Sequence, residues 1–157
     1  MERRRVGASV RTVVEFALLS GSLTPGSQLA RMREGMLGHQ ARQQALPDAQ
    51  AEVVVRGQVE GERALLEISG RIDALYERDG LPVVEEIKLA PVDAIPEAAV
   101  PVHRAQAVCY GYLLQAPEAI IRVMYVMRDG AEVIALEEPL SSGALGAAFF
   151  SYVTPYL

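Results

Sequence analysis

The stretch that decides the fold is residues 64–89, ALLEISGRIDALYERDGLPVVEEIKL. Ala64 to Tyr76 has apolar residues at strand spacing, and Leu81 to Leu89 has the composition of a buried strand. Asp79-Gly80 between them is a hairpin signal. Together with a further apolar run from Glu52 to Gln58, this pattern predicts an antiparallel meander of three strands.

Helical and extended patterns surround the meander. Ser9 is a predicted N-cap for a first helix that ends at Gly21, and the spacing of apolar residues predicts a second helix from Gln28 to Gln44. Further elements are predicted downstream: a helix at Val102 to Leu114, strands at Ala119 to Met127 and Glu132 to Leu136, and a helix at Ser142 to Tyr152. A helical crossover makes the strands at 81–89 and 119–127 parallel. The expected class is α/β, with a mixed sheet flanked by helices.

Lys88 is the single lysine of a chain that has fourteen arginines, and it is the last residue of the triplet Glu86-Ile87-Lys88. On a strand, Glu86 and Lys88 project from one face, whereas Glu85 projects from the other, toward solvent or a helix. Asp73, on the preceding strand, is placed to converge with Glu86 across the hairpin. Two close carboxylates repel unless a hard cation lies between them. By itself, Glu-x-Lys is usually a cross-strand salt-bridge element; with Gly-Arg-Ile-Asp upstream, a divalent-metal site becomes an equal alternative.

Two predicted helices add polar side chains. Gly35-Met36-Leu37-Gly38-His39 places His39 one turn after Gly35. Gln106 and Tyr110 share a helical face, with His103 on the same side. Taken singly, each of these is more often an ordinary helix residue, and His103 itself is expected at a polar helix start.

Taken together and in this order, Gly-x-x-x-His, Gly-Arg-Ile-Asp, Glu-x-Lys and Gln-x-x-x-Tyr resemble the PD-(D/E)XK nuclease superfamily, in its RecB-like branch. Within the branch, the chain looks most like the N-terminal nuclease domain of some DinG/XPD-type helicases. The resemblance implies a restriction-endonuclease-like core of helix, three-strand meander, helix and strand, with an added C-terminal strand and helix. We expect one nuclease domain over residues 1–157, with its core at about 28–127, an N-terminal helical extension at 1–27 and the additions at 131–157.

The resemblance also implies roles for particular residues. Asp73, Glu86 and Lys88 are the implied catalytic residues, with Lys88 activating water or stabilising charge on the phosphate. The implied ligands of Mg²⁺ or Mn²⁺ are His39, Asp73, Glu86 and the carbonyl of Ile87. Implied nucleic-acid contacts are Gln106, Tyr110, Arg71 and Arg104, and Glu52 is a candidate for a water-mediated metal contact.

Composition narrows the cofactors and partners. One cysteine, Cys109, excludes an intrachain disulfide and an iron-sulfur cluster, and no Gly-rich phosphate loop is present, so no nucleotide is expected. The net charge is −5, yet the first 42 residues hold seven arginines against three acids. This division suits carboxylates at a metal and arginines on phosphates, or ordinary solvated helix faces. No apolar segment reaches membrane-span length, which predicts a cytoplasmic protein without a membrane partner.

Two functions follow as hypotheses. The first is a metal-dependent deoxyribonuclease acting on single-stranded or branched DNA in repair, recombination or processing. The alternative is a catalytically silent module of the same fold that binds nucleic acid or docks on a helicase. Expected partners are DNA, a helicase in cis or in trans, and a second copy of the chain as a homodimer.

Overall fold

The computed structural model of the protein describes residues 3–18, 40–46, 48–90 and 99–157. They form a mixed six-stranded sheet flanked by helices, which confirms the α/β class. The elements in chain order are β1 (Arg4–Ser9), α1 (Val10–Leu18), α2 (the helical residues 40–44), β2 (Gln50–Glu60), β3 (Ala64–Arg78), β4 (Leu81–Leu89), α3 (Ala99–Leu113), β5 (Glu118–Val126), β6 (Glu132–Ser141), α4 (Ser142–Val153) and a 3₁₀ turn (Thr154–Tyr156).

The predicted meander is confirmed, because β2 pairs with β3 and β3 with β4, both antiparallel. The hairpin between β3 and β4 turns at Asp79 and Gly80, whose φ angles are 54° and 82°. Two consecutive positive φ values are the signature of a type I′ turn, which matches the twist of the strands it joins. The local turn chemistry therefore fixes the register that brings β3 against β4.

The predicted crossover is also confirmed. Strands β4 and β5 run parallel, with Glu86 opposite Val123 and Lys88 opposite Tyr125. Helix α3 makes the connection, and β6 then adds an antiparallel edge beside β5. The strand that carries Glu86 and Lys88 therefore has β5 along one edge, and it packs against α3, which carries further polar residues.

Strand β3 has the most partners in the sheet, because β1, β2 and β4 all pair with it. One edge pairs with β2 over residues 65–75. The other edge is shared: β1 pairs in parallel with residues 64–69, and β4 pairs with residues 74–78. Between these two partners, residues 70–73 have no strand on that edge among the described residues. The candidate site lies at this gap.

Strand β1 is the element that the sequence did not predict. The N-terminal extension at 1–27 was expected to be helical, with no strand before the Ser9 cap, whereas residues 4–9 form a strand. Its apolar alternation is limited to Val6 and Ala8, which are half-buried against the core between exposed residues. Two such residues are too few to predict a strand, and the pairing with β3 is what makes this segment one. Ser9 does cap α1 as predicted, since its Oγ accepts from the Thr12 amide at 3.1 Å. The predicted end of that helix at Gly21 and residues 28–39 of the next lie outside the described residues.

The core lies between the sheet and helices α1, α3 and α4, which pack against one another. A smaller apolar cluster on the other side of the sheet joins Ala74 and Ile87 to Leu46, just after α2. The sheet is thus covered on both faces near β4. None of the helices in the described ranges is long and apolar enough to span a bilayer.

Candidate functional site

Glu86 and Lys88 project from the same face of β4, as predicted. The Lys88 Nζ lies 3.0 Å from the Glu86 Oε1. The Glu86 side chain is 4% exposed and that of Lys88 23% exposed. The ammonium thus reaches the rim of the site, while the carboxylate lies at its floor.

Asp73 lies one residue beyond the last paired residues of the β3–β4 hairpin, Ala74 and Glu85. Its Oδ2 accepts a hydrogen bond from the Ile87 amide at 2.8 Å. The Asp73 carboxylate therefore takes the place of a backbone acceptor for β4, at the point where the backbone of β3 separates from it. This bond fixes the Asp73 side chain next to Glu86, at the end of the hairpin away from its turn.

The electrostatics of Glu86 are unusual for a carboxylate. Burial and the neighbouring charge of Asp73 raise its pKa to about 8, although the charge of Lys88 opposes this rise. In the described part of the chain no group hydrogen-bonds its buried Oε2. An unpartnered buried carboxylate oxygen beside a second carboxylate is suited to a hard cation.

The described residues alone do not complete a metal site. They contain no cluster of three or more His, Cys, Asp and Glu side chains that could hold an ion. His39, the third predicted ligand side chain, lies outside the described residues. Ile87 has a fully buried side chain, and its amide is the donor to Asp73.

Helix α3 covers the site with the predicted pair Gln106 and Tyr110, which are 2% and 7% exposed. The pKa of Tyr110 is raised, first by burial and then by the charges of Glu86 and Asp73. A Cβ added at Gly70, in the gap of β3, would overlap the Tyr110 ring. This glycine lets the ring approach the sheet directly beside the acidic pair.

His103 belongs to this wall of the site, which corrects its expected place at a polar helix start. Its Nδ1 is hydrogen-bonded to the Tyr125 hydroxyl, and Tyr125 is the strand neighbour of Lys88. Burial, together with the charges of Lys88 and Arg11, lowers the His103 pKa to about 3. The imidazole is therefore neutral. The shared helical face with Gln106 was the available sequence signal.

The predicted phosphate contacts have different environments. Arg71 has a side chain that is 68% exposed, and its Nε lies 3.8 Å from the Glu52 Oε2. Arg104, in contrast, forms a two-pronged ion pair with Glu138 on β6, at 3.0 and 3.1 Å. That guanidinium already has an anionic partner, with which a phosphate would have to compete.

Glu52, the predicted water-mediated contact, has a positive φ of 55°. Its Oε1 accepts from the Gln43 side chain at 3.2 Å, and the same amide donates to the Asp73 carbonyl at 2.8 Å. Gln43 thus ties α2 to the strand that carries Asp73. Because Glu52 accepts from the same amide, it helps to hold the Gln43 side chain in this position.

The opposite face of β4 carries a buried ion network. Glu85, fully buried, accepts from the Arg42 Nε and Nη2 at 2.9 and 3.0 Å, and from the Tyr76 hydroxyl at 3.0 Å. Arg42 also donates to Glu132 at 2.8 Å, and Arg122 donates to Tyr76 at 2.8 Å. The prediction that Glu85 faces away from the site toward a helix is confirmed, since Arg42 lies on α2.

A cavity of about 570 Å³ lies elsewhere, between β2, the end of α3 and the start of α4. Leu113, Leu145 and Phe149 are among its lining residues, which do not include the acidic pair or Lys88. Cys109 is buried in the core as expected, and burial raises its thiol pKa to about 12.

Comparison with known proteins supports the fold class. No family model matches the sequence, and no curated protein matches it. The structure is similar to the crystal structure of SSO0001, with a TM-score of 0.61 and 20% sequence identity. The match covers 99% of this chain and 78% of SSO0001. At this level of identity the likeness shows a shared fold and nothing about activity.

Proposed function

We propose that this chain is a metal-dependent deoxyribonuclease that hydrolyses phosphodiester bonds of single-stranded or branched DNA, in repair, recombination or processing. The observation that carries the proposal is the buried pair of Asp73 and Glu86, with Lys88 bound to Glu86 at 3.0 Å. Without a cation this arrangement costs free energy, because the Glu86 pKa is raised to about 8. Groups held at such a cost are typical of functional sites.

The proposal includes a restriction-endonuclease-like core of the RecB-like branch. Strands β2, β3 and β4 form a meander, α3 crosses over, and β5 lies parallel to β4. The acidic residues lie on β3 and β4, and Gln106 and Tyr110 lie on the crossover helix, which are the positions that the resemblance implies. Strand β6 and helix α4 are the expected C-terminal additions.

The donor set fits Mg²⁺ or Mn²⁺, because both carboxylates offer hard oxygen ligands and the Glu86 Oε2 lacks a partner in the described part of the chain. Asp73 and Glu86 would hold the cation, and the resemblance adds the Ile87 carbonyl and His39. When bound, such a cation neutralises charge on a phosphate and lowers the pKa of water.

The remaining residues bind and orient the substrate. Lys88 presents a compact ammonium at the rim of the site, where it can donate to an attacking water or to a phosphate oxygen. Glu86 holds that ammonium in place. Gln106 and Tyr110 form the wall opposite the sheet, where they can position a nucleic acid strand over the carboxylates.

The test is a cleavage assay with the purified full chain and Mn²⁺ or Mg²⁺, on end-labelled single-stranded, flapped and duplex DNA. We expect metal-dependent cleavage of the single-stranded or flapped substrates, and its loss in EDTA. The variants are Lys88→Ala and Lys88→Arg, with Arg63→Lys as a control at an exposed turn position.

Both Lys88 variants should lose roughly 100-fold or more of the cleavage rate. Lys88→Arg keeps the charge, but a planar guanidinium does not replace a compact donor beside the attacking water. Equal cleavage by Lys88→Ala and the parent would refute the proposal. Binding of DNA without cleavage under any divalent metal would favour the alternative, a silent binding or helicase-docking module.

A further inference from the structure

The gap on the edge of β3 has two sides. Its far side is Asp73, next to the residue where the pairing with β4 begins. Its near side is the end of β1, where Ser9 pairs with Ser69 and the chain turns at once into α1. The first residues of α1 therefore lie across the gap from the acidic pair.

Two neighbouring contacts place the start of α1 at the site. Val10, fully buried, would contact a Cβ added at Gly70, as the Tyr110 ring would. Helix α1 also packs against α3, the helix that carries Tyr110 and His103. Arg11, the next residue after Val10, is thus at the rim of the candidate site.

The guanidinium of Arg11 is engaged by a carboxylate at one of its three nitrogens. Its Nε lies 3.0 Å from the Glu15 Oε1, one turn further along α1, while its side chain is 69% exposed. This contact engages Nε, and among the described residues neither terminal amino group of Arg11 has a hydrogen bond or an ion pair. Such an orientation presents the fork that binds a phosphate through two hydrogen bonds.

The charge of Arg11 acts on the site itself. It lowers the pKa of His103, as Lys88 does from the neighbouring strand, and it opposes the rise in the pKa of Tyr110. Two cations thus approach the same neutral imidazole from different elements. Arg104, which the resemblance implied as a phosphate contact, is paired with Glu138.

We propose that Arg11 binds a backbone phosphate of a single nucleic acid strand that crosses the gap of β3 between α1 and the acidic pair. This inference rests on the proposed function, since it assigns a substrate contact at the same site. Arg11 is a binding residue in this assignment; the reacting groups remain at Asp73, Glu86 and Lys88.

The experiment measures binding of a fluorescein-labelled oligothymidylate to the full chain by fluorescence anisotropy, with Ca²⁺ as the divalent cation and a series of KCl concentrations. Arg11→Gln is compared with the parent and with Arg63→Gln, which removes the same charge from an exposed turn. Thermal unfolding of each variant verifies that it is folded.

Arg11→Gln should weaken binding roughly tenfold at low salt. The slope of log K against log salt should fall in magnitude by about 0.7, the value for one phosphate contact to a single strand. Arg63→Gln should leave the slope unchanged. Glu15→Gln, which frees Arg11 without removing it, should keep the parent slope.

An unchanged salt slope for a folded Arg11→Gln would overturn the assignment. An equal fall in the slope for Arg63→Gln would also overturn it, because the effect would then come from the net charge of the protein and not from a contact at Arg11. These outcomes leave the nuclease proposal intact if the parent cleaves DNA. Conversely, a parent that binds with an Arg11-dependent slope and never cleaves would remove the catalytic proposal and keep Arg11. A parent that does not bind would overturn the assignment.

Discussion

Glu86 is the residue at which burial and charge conflict most strongly. Its carboxylate is buried beside Asp73, and Lys88 compensates it from one side only. Natural proteins bury a carboxylate in this way when a function requires it, because the free energy of unfolding would be higher with a neutral side chain.

The raised pKa of Glu86 gives a pH dependence with a definite sign. Because the folded-state pKa of about 8 exceeds the ordinary value of 4.5, the folded state holds a proton that the unfolded state has lost. The contribution of Glu86 to stability is present below 4.5 and is lost as the pH rises through about 8. In metal-free buffer, the parent should therefore lose more free energy of unfolding over this window than Glu86→Gln.

Urea denaturation at several pH values measures this difference. At pH values above 8, added Mn²⁺ should raise the urea concentration at the unfolding midpoint of the parent. It should have little effect on Glu86→Gln or Asp73→Asn. Parallel pH profiles for the parent and Glu86→Gln would contradict the assigned pKa. A control is Glu62→Gln, at an exposed turn.

Gly70 allows a matched test of the close approach between β3 and α3. Gly70→Ala should force the Tyr110 ring away from the sheet and cost about 1–3 kcal/mol of unfolding free energy. Gly7→Ala, on β1, has nothing within 4 Å of the added Cβ and should be nearly neutral. Urea denaturation compares the two, and similar stabilities would show that Tyr110 has room to move.

At the scale of elements, β4 carries a charged group of residues on each of its two faces. One face presents Glu86 and Lys88 to the candidate site, and the other face presents Glu85 to Arg42 of α2. Helix α2 is bound to β3 as well, through the Gln43 bond to the Asp73 carbonyl. The ion network thus locks the strand and the helix together behind the site.

The energetic weight of this network is testable at Glu85. Glu85→Ala leaves the buried guanidinium of Arg42 without its main partner and should cost about 3–5 kcal/mol. Glu60→Ala, which removes the exposed partner of Arg3, should cost less than about 1 kcal/mol. Chemical denaturation measures both, and a small loss for Glu85→Ala would mean that solvent or another acid compensates Arg42.

On the scale of the whole molecule, β3 connects all parts of the sheet. Residues 65–69 have partners on both edges, β1 and β2, whereas β6 pairs with β5 alone among the described strands. The sheet therefore depends on a strand that receives partners from the first and the central parts of the chain.

Native-state hydrogen exchange tests this central role. Amides of residues 65–69 should exchange only by global unfolding, and those of β6 should exchange faster, through local opening of an edge. Equal protection of β6 and β3 would show that the sheet opens as one unit, or that another part of the chain covers β6.

The sequence by itself determined what depends on neighbours along the chain. The Asp79-Gly80 turn, the alternation that sets Glu86 and Lys88 opposite to Glu85, the Ser9 cap and the parallel crossover all follow from local spacing and backbone geometry. These features fixed the α/β class and the expected acidic pair.

Only the tertiary structure decided which distant groups meet. It made β1 a strand, joined His103 to Tyr125, and engaged Arg104 with Glu138 instead of leaving it free. It also placed Arg11 across the gap from Asp73. The physical reason is that these contacts join residues far apart in sequence, and their partners are chosen by packing and charge compensation, which local periodicity does not encode.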